Sequence, residues 1–312
     1  MFEIAGKKNN KHWLYLFLTL TSLIVFTFLP LVKSFIISFN SNYDKFSDTL
    51  GTFINLDNYK SVFRDYDFRI AIKNTIILVF FSVPISLIIA LIIALTLQSI
   101  KNNFFQNFFK TCFFLPLLSN TIVMGMVFGM FFYYNFGFVS QKPQGLFNIF
   151  LGFFGIKAQN WVSLSAPYKN KMFALIFYNI WTRLSFKVFV FILALQDINK
   201  SYYDAARIDG ASKFRIFTQI TLPLLFPIIF YQFIIEMLTI FKEYESVIGL
   251  FGKNTNFRIK TIVGYIYEQL SSTSYNSYSK GSAAAMILFF ISIFFTIISF
   301  YISKVNFLGR KK

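Results

Sequence analysis

Six long apolar stretches constrain this chain more than any other feature: Trp13 to Phe39, Lys73 to Leu97, Thr111 to Tyr134, Met172 to Leu195, Leu222 to Phe241 and Ser282 to Ser303. A bilayer core of about 30 Å needs about 20 apolar residues in a helix. In lipid only helices and closed barrels satisfy their own backbone polar groups. The stretches therefore predict an all-α polytopic membrane protein with six transmembrane helices. Charged residues make up only 14% of the chain, about half the share in a soluble domain. The first stretch is too long and starts too late for a cleaved signal peptide, and reads as a retained helix.

The formal net charge of +17 would suggest nucleic acid in a soluble protein. Here the basic residues sit in short segments between apolar runs, where lipid headgroups attract them, so nucleic acid is not an expected partner. Six spans put both termini on one side. The basic ends Lys7, Lys8, Lys11 and Arg310, Lys311, Lys312 place that side in the cytoplasm of a plasma-membrane protein. The density of basic residues supports this orientation; their raw number on the two sides does not. The loops between spans are too short for independent domains, so a single membrane domain over 1–312 is expected. No internal repeat supports an inverted-repeat secondary transporter.

One cysteine, Cys112, and one histidine, His12, exclude a disulfide framework, a zinc cluster or a Cys/His pair within one chain. His12 beside Trp13 reads as an interfacial group. No nucleophile with a base and no paired catalytic carboxylates stand out, so the chain is read as a non-enzyme without cofactor or metal. The nearest thing to a phosphate loop, Gly249-Leu-Phe-Gly252-Lys253-Asn254, lacks the required spacing and the terminal Ser or Thr.

Between the fourth and fifth stretches, residues 200–223 carry Ser201-Tyr-Tyr-Asp204-Ala-Ala-Arg-Ile-Asp209-Gly-Ala-Ser212, then Phe217 and Pro223. Ser201 with Asp204 has the form of a capping box. Ala205 and Ala206 favour the helix it opens, and Gly210 can end it in a left-handed conformation. Ser212 caps a second short helix, and Pro223 suits the start of the next span. This helix-turn-helix fits either a groove on a partner protein or a bed of lipid headgroups.

The same segment resembles the EAA loop of type I ABC importer permeases. Asp204, Ala205, Ala206, Asp209, Gly210, Ala211, Phe217, Ile220 and Pro223 occupy the motif's positions, with Asp204 where the family usually has Glu. The resemblance implies a coupling helix seated in an ABC ATPase subunit, with ATP and Mg bound by that partner. It also implies a second, similar permease subunit and an extracellular substrate-binding protein. Asn74-Thr75, Leu115-Pro116 and Gly281-Ser-Ala-Ala284, with Leu56 to Tyr59, are similar to the carbohydrate branch that includes maltose, glycerol-3-phosphate and multiple-sugar importers. After Glu245 the chain departs from the Thr-Gly-Gly-Pro turn frequent in that family.

Three charges lie near the middle of apolar stretches. Arg183 and Lys187 are four residues apart on one helical face of the fourth, and Glu236 is in the fifth. Such residues pair or face water. Glu236 is the expected counter-ion of one cation, and a cation left over would favour an anionic solute such as a glycerophosphate. Tyr178, Asn179, Trp181, Tyr231 and Gln232 are candidates to read solute hydroxyls by stacking and hydrogen bonding. The reading is thus a permease subunit importing a sugar, polyol or glycerophosphate by alternating access. A permease for another solute and a stand-alone transporter or channel are the alternatives.

Overall fold

The computed structural model describes residues 11–41, 43, 46, 48, 54–134, 145–253, 258–274 and 276–308, with side chains from residue 16 to 303. The expectations for residues 1–10 and 309–312, for the side chains of His12 and Trp13, and for Asn254 lie outside what is described.

The helices in chain order are α1 (Lys11–Leu23), α2 (Leu29–Ser38), α3 (Asp57–Arg64), α4 (Tyr66–Ser99), α5 (Asn103–Phe114), α6 (Thr121–Phe131), α7 (Leu146–Phe153), α8 (Tyr168–Asp197), α9 (Lys200–Ile208), α10 (Lys213–Ile216), α11 (Leu222–Phe241), α12 (Glu245–Phe251), α13 (Ile262–Ser271) and α14 (Ser277–Leu308). Five runs among the described residues are long and apolar enough to cross a membrane: Leu16–Ser38, Tyr66–Ser99, Tyr168–Asp197, Lys213–Phe241 and Ser277–Ser303.

The third expected span is not one straight helix. Asn103–Leu118 and Thr121–Phe131 meet at 107°. Leu115-Pro116 opens a 3-10 turn, Ser119 is extended, and the Asn120 side chain caps α6 by accepting the N–H groups of Ile122 (2.9 Å) and Val123 (3.3 Å). A capped restart is the physical cause of the corner.

The fifth span is longer than its apolar run. It starts at Lys213, and a π turn, Phe217–Thr221, joins α10 to α11. A second π turn, Ile24–Phe28, joins α1 to α2. Each π turn is followed by Leu-Pro, Leu222-Pro223 and Leu29-Pro30. A proline lacks its N–H and clashes with the carbonyl four residues back, here Gln219 and Phe26, both inside the widened turns. The π geometry therefore absorbs the proline without ending the helix.

The chain divides into two compact units, Met1–Asp65 with Ile266–Phe290 and Tyr66–Tyr265 with Ile291–Lys312. In the first, Asn58 Nδ2 donates to the Ser38 carbonyl (3.0 Å), Tyr59 hydrogen-bonds Ser38 Oγ (2.8 Å) and Tyr43 packs on Tyr278. In the second, α4 packs along α8 and α11, and α12 lies on α6. The α6–α12 crossing is backbone on backbone: a Cβ built on Gly125 would sit 2.6 Å from Gly249 Cα. Buried polar groups fasten the ends of the helices. Asn74 Nδ2 donates to the Arg258 and Lys260 carbonyls (3.1 and 2.8 Å), Tyr168 donates to Asn74 Oδ1 (2.8 Å), and Thr75 Oγ1 accepts the Ile262 N–H (3.1 Å). Asn74 and Thr75 thus hold the segment that leads into α13.

Candidate functional site: a docking loop and a charged cavity

The α9–α10 segment has the helix-turn-helix form expected, with a different start. Asn199, not Ser201, caps α9, accepting the Ser201 N–H at 3.0 Å. Asp204 forms an exposed ion pair with Arg207 at 3.2 Å instead of reaching back to the cap. The helix ends in a Schellman motif: Ala211 N–H donates to the Ala206 carbonyl (2.9 Å), Gly210 N–H donates to the Arg207 carbonyl (3.1 Å), and Gly210 has φ +72°. This geometry explains Gly210, whose left-handed backbone the motif requires. Ser212 caps α10 through the Arg215 N–H at 3.3 Å. Asp204, Ala205, Asp209 and Gly210 are exposed, and Ala206, Ala211 and Phe217 are half-buried. Exposed beside them are Tyr202, Ile208 and Phe214. Sequence reasoning passed over these three, although large apolar residues in a polar loop are the signal of a docking face.

A cavity of about 440 Å³ lies against α8 and α11. Arg183, Lys187, Gln232 and Glu236 line it, with Thr182, Phe186, Thr239 and the turn Lys242 to Glu245. Lys187 Nζ is 2.9 Å from Glu236 Oε1, both side chains almost fully buried. Arg183 pairs with Glu243, a residue beyond the apolar run that sequence reasoning did not select. Neither cation is left without an acidic partner, which removes the ground for an anionic solute. Gln232 is buried, and its Nε2 has no hydrogen-bond partner among the described residues.

The remaining candidates are elsewhere. Tyr178 and Asn179 are buried and do not line the cavity: Tyr178 donates to the Thr121 carbonyl, and Asn179 donates to the Leu175 carbonyl at 3.0 Å while its Oδ1 accepts the Arg183 Nε–H at 3.4 Å. Trp181 lies on another face of α8, 4.7 Å from the Phe128 ring, and lines a separate apolar cavity with α4. Tyr231 is exposed and lines none of the described cavities. Neither Trp181 nor Tyr231 shares the space of the ion pairs.

Residues 84–305 match the family described as "Binding-protein-dependent transport system inner membrane component". The chain belongs to that family. It is a multi-pass permease, the membrane component of an ABC transport system. It is 30% identical over 283 residues to the arabinooligosaccharides transport system permease AraP of Bacillus subtilis (strain 168), covering 90% of this chain and 85% of that one. It is 26% identical to the trehalose/maltose transport system permease MalF of Thermococcus litoralis, over 89% and 88% of the two chains. The fold is that of a crystallised bacterial alginate ABC transporter, with a TM-score of 0.79 at 22% identity and 96% coverage of both chains.

The Lys187–Glu236 pair sets one expectation for the permease. Removing one partner strands the other charge in a buried site, at about 3–5 kcal/mol. Glu236→Ala should therefore lower the denaturation midpoint of the detergent-solubilised protein sharply. The double replacement Lys187→Met/Glu236→Leu should recover most of the loss.

Proposed function

We propose that this permease imports an uncharged sugar or short oligosaccharide, and that the cavity between α8 and α11 is its half of the translocation pathway. The observation that carries the reading is charge balance. Arg183, Lys187 and Lys242 in the lining are matched by Glu236, Glu243 and Glu245, so the cavity carries no excess charge to hold an ionic solute. Gln232 also lines the cavity, with a buried Nε2 that lacks a hydrogen-bond partner among the described residues. The relatives named for arabinooligosaccharides and for trehalose/maltose support a carbohydrate.

In this reading both termini face the cytoplasm, and both compact units belong to a single permease domain. The α9–α10 loop is the lever, docked in an ABC ATPase subunit that binds ATP and Mg. A second permease completes the pathway, and an extracellular binding protein delivers the solute. Asp204, Ala205, Asp209 and Gly210 present the docking face, widened by Tyr202, Ile208 and Phe214. Uptake measured against competitors tests the solute class. Neutral oligosaccharides should inhibit at least about tenfold more strongly than glycerophosphates, a difference of about 1.4 kcal/mol. Stronger inhibition by the phosphates would overturn the reading.

A further inference from the structure

Glu243 is 3% exposed and joins three elements. Its carboxylate accepts from the Arg183 guanidinium of α8 and from the Ser246 N–H at the start of α12, the latter at 2.8 Å. Its carbonyl accepts the Thr261 hydroxyl at 2.6 Å. The neighbouring Lys260 is fixed to α4, its Nζ 2.8 Å from Asp67 and its carbonyl bonded by Asn74. On its other side α12 rests on α6 through Gly249 and Gly125.

The turn Lys242 to Glu245 and the α8 residues Thr182, Arg183 and Lys187 all line the cavity, joined there by the Arg183–Glu243 pair. Opening the cavity on this side separates them. The ion pair is the charged contact that resists separation, beside the packing of α6 on α8 through Phe128 with Tyr178 and Trp181 and the Thr261 bond to the Glu243 carbonyl; the Ser246 cap moves with the turn, and the Lys187–Glu236 pair holds α8 to α11 farther along. A buried ion pair is suited to two discrete states: made, it is shielded and geometrically fixed; broken, it exposes two charges that need water. We propose that the Arg183–Glu243 pair is a latch on the cavity wall, and that Glu243 is a positioning residue setting how often α12 and its turn swing away from α8.

The test reads accessibility without any solute, so its failure is distinct from failure of the sugar assignment. Met124 lines the cavity beside Gly125. In the complete transporter reconstituted in lipid, Met124→Cys in a Cys112→Ser background is labelled with a cationic methanethiosulfonate reagent. Glu243→Gln keeps one oxygen to accept the Ser246 N–H and turns the acceptor facing Arg183 into an uncharged amide donor; it should raise the labelling rate about tenfold, as should Arg183→Gln. Arg183→Lys, which keeps the charge, should label at close to the parent rate. The double variant Arg183→Gln/Glu243→Gln should label no faster than the faster single, because both remove the same contact. Unchanged labelling in the singles, or multiplied effects in the double, would overturn the latch. Should Glu243→Gln insert poorly, Arg183→Gln provides the second reading: labelling and solute-free ATP hydrolysis should rise together, and a rise in neither overturns the proposal.

Discussion

Replacing Gly249 with valine should leave a chain that inserts but denatures far more easily than the parent. A Cβ at this position would sit 2.9 Å from both Gly125 Cα and the Ile122 carbonyl oxygen. The obstacles are backbone atoms of a helix, so no side-chain rotation relieves them. α12 must lift from α6, and the Glu243 cap on Ser246 is strained with it. Overpacking of this kind costs about 3 kcal/mol or more when the neighbours cannot yield. Gly152 in α7 is the control: a Cβ there meets nothing within 4 Å, and Gly152→Val should melt like the parent. Denaturation midpoints of the purified proteins in one detergent decide the matter. Equal midpoints for Gly249→Val and the parent would show that the α6–α12 contact carries no strain.

Gly210→Val should do the reverse, leaving stability nearly intact while abolishing transport and stimulated ATP hydrolysis. Gly210 has φ +72°, and a Cβ there meets nothing within 4 Å. The penalty is therefore local, about 1–2 kcal/mol for a side-chain-bearing residue held in the left-handed region. The chain avoids that penalty by opening the turn, which breaks the Ala211-to-Ala206 and Gly210-to-Arg207 hydrogen bonds and swings α9 away from α10. For a lever, a changed angle is enough to uncouple the ends. Gly210→Asn, which tolerates the left-handed region, should keep most of the uptake. Uptake unchanged in Gly210→Val would remove the loop from the drive mechanism.

Much of this was legible in the sequence because the bilayer enforces it. Length and hydropathy alone placed the five uninterrupted spans, and the small residues around Gly210 marked the turn. The start of α9 was misplaced because a capping box needs a side chain long enough to reach back to the cap. Asp204 is one methylene short of Glu and pairs with Arg207, so Asn199 takes the cap. The corner in the third span could not be read from Pro116, since Pro84 and Pro227 sit inside helices that continue. What distinguishes the corner is an Asn placed to restart the chain as a helix.

The charged cavity was half legible. Arg183 and Lys187 share a face at four-residue spacing, but Trp181, two residues before Arg183, is turned about 200° from it. Proximity in sequence was a poor guide to a shared site. Glu243 was missed because it lies past Phe241, where the apolar run stops and buried charge is no longer expected.

The π turn at Phe217–Thr221 gives the fifth helix one residue of slack between the α9–α10 loop and the cavity. Moving that turn by one step exchanges a single backbone hydrogen bond, yet rotates the residue it passes by about 100°. Torque applied at Phe217 can thus be taken up as a travelling defect without unwinding the helix. Under the lever reading proposed above, the phase between the α9–α10 loop and Glu236 is an adjustable quantity, set by where along the helix that extra residue is stored.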